Sequence, residues 1–344
     1  MKERVVYFDY LRVLALFSVV VLHIAAQNWY AAPLFSAAWH TFNIYDSCVR
    51  FGVPVFVMIS GALFLDRDIS IKKLYSKNIS RLATAFIFWS AVYALVYSTE
   101  TKDFLYNFFS GYYHLWFIPM LMALYVCIPL FLKLAENETI LKYFLAVSSV
   151  FTFLIPQIIR IVNDFGGENF KYVFGGFVTT YENAKLSVFF GYAFYFMLGY
   201  YINKTDFAKT KRLLIYLLGL LGTAFITVMT ILVSKSANEP ILAYYDNFTV
   251  GVLLQSLAVF VFVKYDLPKP LKLSSLVFEI SKCSFGAYLV HCLIIDRLDK
   301  WLSVNTLSFN PLVSVPLLSL LVFAVSLIIS AIIGKIPFLK KFIV

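Results

Sequence analysis

The chain is a succession of long, uninterrupted apolar runs, at residues 7–28, 47–65, 82–99, 114–132, 143–159, 186–202, 213–234, 248–263, 276–296 and 313–334. A hydrocarbon core about 30 Å thick is crossed by about 20 helical residues, so these runs are of spanning length. They are continuous rather than alternating, and a backbone in lipid must pair its own polar groups. Both points select a helical bundle over an outer-membrane barrel. With 61% hydrophobic residues, 14% charged and a mean hydropathy of +0.81, the chain carries more apolar surface than a soluble domain of 344 residues can hide. The expected fold is therefore an all-α integral membrane protein of ten helices, a single transmembrane domain over residues 1–344 with no appended soluble domain. The first run lacks an A-x-A-like cleavage site and is too long for a signal-peptide core, so it reads as a retained span.

Charge sets the orientation. With the N-terminus cytoplasmic, the inward segments 1–6, 66–81, 133–142, 203–212, 264–282 and 335–344 hold 20 Lys and Arg, against 8 in the outward segments. This bias predicts cytoplasmic N- and C-termini, and it accounts for the net charge of +10 with no call for nucleic acid. The four cysteines, Cys48, Cys127, Cys283 and Cys292, are scattered without a C-x-x-C pair. Their spacing suggests neither a zinc site nor a disulfide framework, and no metal is expected. The longest outward loop, 160–185, carries glycines and aromatics and reads as a connector or a lid.

Against this apolar background, "DYLRVLALFSVVVLH" at 9–23 stands out for Asp9, Arg12 and His23. Eleven residues at about 100° each return to the same face, which puts Arg12 and His23 on one stripe about 16 Å apart. Asp9 at i−3 can pair with Arg12, and an arginine near a helix end can also snorkel to the interface. An ionisable group deep in a span, such as His23, marks a cavity or pathway. Of the other three histidines, His114 opens the fourth run in "YYHLWFIPM", and His291 lies in "SFGAYLVH", on one face with Ser284 and Tyr288. His40 reads as surface in an outward loop. His23, His114 and His291 all fall toward the outer half of a span, which predicts a shared polar cavity.

In "VRFGVPVFVMISGALFL" at 49–65, Arg50 stands at the outer mouth, Pro54 and Gly61 favour a kink or close helix contact, and Ser60 can satisfy a freed carbonyl. "DRDISIKKLYSKNISRL" at 66–82 places Lys73, Lys77 and Arg81 every four residues as one basic stripe. Such a stripe is a positive-inside or anionic-lipid signal, or a phosphate site for a cytoplasmic cofactor.

These segments together resemble the membrane-bound acyltransferase 3 family, and most closely its enterobacterial common antigen O-acetyltransferase type. The likeness runs over nearly the whole chain. It rests on the Arg12-x10-His23 spacing, "RFGVPVFVMISGALF", the basic stretch ending at Arg81, "HLWF" at 114–117, "FMLGYYI" at 196–202 and "SFGAYLVH" at 284–291, in the family's order. The stripe departs from the family in being mostly lysine, which favours point-charge over bidentate phosphate binding.

The resemblance implies a bacterial plasma-membrane enzyme that moves an acyl group, often acetyl, from cytoplasmic acetyl-CoA or another acyl-CoA to a hydroxyl of an extracytoplasmic glycan or lipid-linked glycan precursor. In that scheme Lys73, Lys77 and Arg81 hold the CoA phosphates. His23 is general base or acyl-accepting residue, and Arg12 orients the donor or pairs with Asp9. Ser60, Tyr288 and Trp116 are candidate oxyanion donors, while Arg50, His114, Trp116 and His291 face the acceptor. Trp29 and Trp39 join Trp116 as sugar-stacking candidates, although aromatics also anchor membrane interfaces. Two other readings share the polar cavity: a transporter or flippase, and a non-catalytic scaffold or sensor.

Overall fold

The computed structural model describes residues 4–67, 69–185 and 187–337, and every element among them is helical. The ends of the two basic terminal segments, 1–3 and 338–344, lie outside the described residues. In chain order the helices are α1 (Val6–Ala26), α2 (Ala37–Phe64), α3 (Ile71–Tyr97), α4 (Thr101–Ser110), α5 (Phe117–Val126), α6 (Ile128–Ala135) and α7 (Glu138–Phe165). Then come α8 (Glu168–Ala184), α9 (Ser187–Lys204), α10 (Lys209–Ala237), α11 (Ala243–Tyr265), α12 (Leu271–Lys282), α13 (Ser284–Leu302) and α14 (Pro311–Gly334). Among the described residues seven helices are long and apolar enough to span a membrane, or up to nine if the bent pairs α5–α6 and α12–α13 each count as one span. The sixth run, 186–202, is helical from Ser187 as α9 but broken at Gly191, where φ is +26°. The chain is a multi-pass membrane protein.

The bends have local causes. Pro129 has no N–H to give Tyr125, and its ring crowds that carbonyl, so the chain turns by 58° at Cys127 between α5 and α6. At the 65° bend at Cys283 two serines add bonds to backbone carbonyls: Ser284 Oγ donates to Ser281 O at 2.8 Å and Ser330 Oγ to Cys283 O at 2.9 Å. Pro54 acts likewise on Arg50, and α2 is interrupted at Arg50–Phe51. There the buried Gln255 bridges the gap, accepting from Phe51 N at 3.0 Å and donating to Ser47 O at 2.8 Å. Ser60, expected to satisfy a freed carbonyl, instead donates within its own turn to Phe56 O.

The chain divides into two compact units: residues 1–28, 64–132 and 268–344 form one, and 29–63 and 133–267 the other. In the first, α1 packs on α12, α13 and α14. In the second, α10 pairs with α11, and α2 lies so close to α9 that no side chain fits between them. A Cβ on Gly61 would sit 1.8 Å from Phe196 O, and one on Gly199 would sit 2.0 Å from Met58 O. Small residues at such crossings let helix backbones touch, and in lipid this contact takes the place of hydrophobic drive. Lys264 closes the C-terminus of α9 by donating to Ile202 O, Asn203 O and Thr205 O at 2.8–3.1 Å.

Helix α2 begins ten residues before the apolar run that predicted it. Ser36 caps it by accepting from Trp39 N at 3.2 Å. His40 thus lies in the first turn of a helix, half-buried beside Trp39, rather than in a surface loop.

Candidate functional site

Within the first unit, three expected histidines converge. His23 lies in the last turn of α1, His291 in the middle of α13, and His114 in the turn before α5. The ring centroids of His23 and His291 are 5.2 Å apart, as are those of His114 and His291, so His291 is the central ring. Its Nδ1 is 2.5 Å from Tyr288 O. A carbonyl can only accept, so Nδ1 carries the hydrogen and Nε2 keeps its lone pair. That Nε2 faces Cys292 Sγ at 3.3 Å, and Tyr113 Oη donates to the same sulfur at 3.2 Å. Tyr113 also meets the His23 ring edge-on, with centroids 5.3 Å apart.

The cluster is set in a tyrosine wall. Tyr93, Tyr112 and Tyr97 stack nearly parallel at 4.5 and 4.8 Å, and Tyr93 Oη donates to Leu289 O at 2.9 Å, tying α3 to α13. Tyr288 donates its hydroxyl hydrogen to the His114 carbonyl, so this expected oxyanion donor acts here as a clamp holding the His114 turn on α13. His291 and His114 are buried, at 0% and 2% exposure, whereas His23 is half-buried. Of the three imidazoles, His23 is thus the most accessible.

Arg12 is held at the other end of α1. Its Nη1 donates to Asp9 Oδ1 at 3.0 Å, and Asp9 also accepts from Arg4 Nε at 2.7 Å and from Ser281 Oγ at 2.9 Å. Of the two roles open to Arg12, pairing with Asp9 is the one the geometry displays. Lys73, Lys77 and Arg81 are all exposed on the first turns of α3, where Leu74–Ile79 adopts wider π-helical turns. Trp116, 41% exposed, stands just after His114.

The remaining expected residues belong to the second unit. Arg50 is bonded to the buried Asp46 and lies 3.9 Å over the Tyr245 ring, with its side chain 14% exposed. Trp29 and Trp39, at 1% and 0% exposure, pack on each other at 4.6 Å. The expectation that these two tryptophans stack on sugar is therefore corrected: they are core. Ser60 is engaged with Phe56 O, as described above.

Sequence reasoning missed Tyr113, Tyr93 and Cys292. Tyr113 and Cys292 each stand next to a histidine already singled out, and Tyr93 carried no signal beyond its type.

A family model described as an acyltransferase domain, of the acyltransferase 3 type, fits residues 5–333. No curated protein and no solved structure matches the chain.

Proposed function

Because this chain belongs to the acyltransferase 3 family of membrane acyltransferases, we propose that it takes its acyl group, most simply acetyl, from cytoplasmic acyl-CoA and delivers it to a hydroxyl of an extracytoplasmic glycan or lipid-linked glycan precursor. The setting is a bacterial plasma membrane, with both termini cytoplasmic and anionic lipid at the basic inner face. The observation that carries this reading is the convergence of His23, His114 and His291 at one end of α1 while Arg12 and the exposed Lys73, Lys77 and Arg81 belong to the same unit.

A sugar hydroxyl is far too weak an acid to ionise near neutral pH, so its attack on a thioester requires a base that takes the proton as the new C–O bond forms. Neutral His23, the most accessible of the three imidazoles, fills that role. The basic stripe holds the CoA phosphates as point charges. Trp116, 41% exposed beside the His114 turn, donates the hydrogen bond to the tetrahedral oxyanion, while the Tyr288 and Ser60 hydroxyls are given to backbone carbonyls and that of Tyr113 to Cys292 Sγ. His114 and His291 shape the acceptor side.

The test is transfer of labelled acetyl to envelope material by the purified, reconstituted chain. His23→Ala is expected to fold, to bind acetyl-CoA and to lose transfer. Full transfer by that variant removes His23 from the mechanism. Solute uptake by proteoliposomes lacking acyl-CoA supports a transporter instead.

A further inference from the structure

The spacing of cysteines along the chain gave no reason to expect a metal, but the fold brings together ligands that the sequence keeps 268 positions apart. A donor atom from each of His23, His291 and Cys292 lies within 4.8 Å of the other two. We propose that this trio binds a zinc-class divalent cation, and that occupancy shuts off the histidine cluster.

Three features of the chemistry support a cation rather than an ordinary packed cluster. The donor set is two imidazole nitrogens and one sulfur, the mixture preferred by zinc and its neighbours and not by magnesium or calcium. The central ligand is already oriented: His291 donates from Nδ1 to the Tyr288 carbonyl, the outer hydrogen bond that metal-binding histidines commonly make, and this leaves the Nε2 lone pair for the ion. The spacing is close to that of a tetrahedral site. Bonds of about 2.0 Å to nitrogen and about 2.3 Å to sulfur put neighbouring ligand atoms roughly 3.3–3.6 Å apart. His291 Nε2 and Cys292 Sγ are already 3.3 Å apart.

The adjustment left to make falls on His23, the half-buried ring of the three, through which the ion also enters. Tyr113 Oη, 3.2 Å from the sulfur, supplies the hydrogen bond that steadies the thiolate. Three protein ligands leave a fourth position open to water.

Binding is written as M2+ displacing the Cys292 thiol proton to solvent, with lone pairs from sulfur and two nitrogens forming the bonds. No electron changes hands. The affinity therefore rises with pH, as it does for any thiolate site. The consequence for activity rests on the acyltransferase reading: an ion on His23 takes the lone pair that removes the acceptor proton, so zinc inhibits transfer and a chelator restores it.

The experiment uses the full chain in detergent, stripped with chelator and titrated with cobalt(II), whose thiolate charge-transfer and tetrahedral bands report the ligand set. One equivalent is expected to give these bands and zinc to bleach them. Cys292→Ala is expected to abolish the charge-transfer band, His291→Ala and His23→Ala to weaken binding at least tenfold, and Tyr113→Phe to weaken it about tenfold, as loss of a partner just outside the ligand shell does. Should a buried variant fail to fold, zinc protection of Cys292 from alkylation in the unmodified chain, read by peptide mass, supplies the same answer. Absence of the bands together with absence of protection overturns the proposal, as do bands that persist in Cys292→Ala. The two readings fail separately: cobalt bands with no acyl transfer by the chelator-stripped chain refute the acyltransferase reading alone, and transfer by the stripped chain with no bands on cobalt addition refutes the metal site alone.

Discussion

Asp9 allows the role of Arg12 to be decided by a free-energy cycle. The Asp9 side chain is 6% exposed and accepts three hydrogen bonds, from Arg4, Arg12 and Ser281, while the two arginine side chains remain 40% and 31% exposed. Exposed guanidiniums regain water when released, so each ion pair contributes only about 0.5–1 kcal/mol. Ser281, buried against the carboxylate, loses an acceptor at about 1 kcal/mol. Asp9→Ala should therefore cost about 2–3 kcal/mol. Arg12→Ala leaves Asp9 bonded to Arg4 and Ser281 and should cost about 1 kcal/mol. The double variant should cost no more than Asp9→Ala alone, within about 0.5 kcal/mol, because the interaction Arg12 makes is already gone. At roughly 2 °C per kcal/mol for a chain of this size, thermal unfolding in detergent should fall by about 5 °C for Asp9→Ala and about 2 °C for Arg12→Ala. If Arg12→Ala abolishes transfer while its unfolding temperature barely moves, and Asp9→Ala spares transfer, Arg12 acts on the donor and the structural account is refuted.

Reversing Lys73, Lys77 and Arg81 to glutamate should remove stabilisation by acetyl-CoA, a shift worth about 2.7 kcal/mol at a hundredfold excess over Kd; an undiminished thermal shift moves the CoA site elsewhere. Gly61→Ala forces a Cβ into the Phe196 backbone and should cost about 3 kcal/mol or more, as should Gly199→Ala. The pair should combine sub-additively in thermal unfolding, since separating α2 from α9 relieves both clashes. Gln255→Leu leaves Phe51 N and Ser47 O without a partner in a buried break and should lower stability by about 3 kcal/mol, read as earlier proteolysis or melting. Trp39→Ala should destabilise by about 3–5 kcal/mol as a core truncation, whereas Trp116→Ala should leave melting unchanged and lower kcat for transfer.

The helices were legible because a bilayer imposes a length, and an apolar run of that length has few alternatives. Helix boundaries were less legible where burial is polar. Asn43 and Asp46 sit in the core of the second unit at 0% and 1% exposure, paired to Tyr245 and Arg50, yet by hydropathy alone they read as loop. The same holds at the histidine cluster. Helical periodicity groups Ser284, Tyr288 and His291 on one face, and the structure uses Tyr288 and His291 together. Cys292 lies about 100° further round and belongs to a different face by that rule. The rule assumes a helix with one buried side, and α13 is buried through its centre, with His291 at 0% and Cys292 at 2% exposure. On such a helix neighbouring residues can serve one site, because every direction points to protein rather than to lipid or water. The sulfur beside His291 was therefore invisible to periodicity, and only the packing of α1 and the Tyr113 turn against α13 gives it partners.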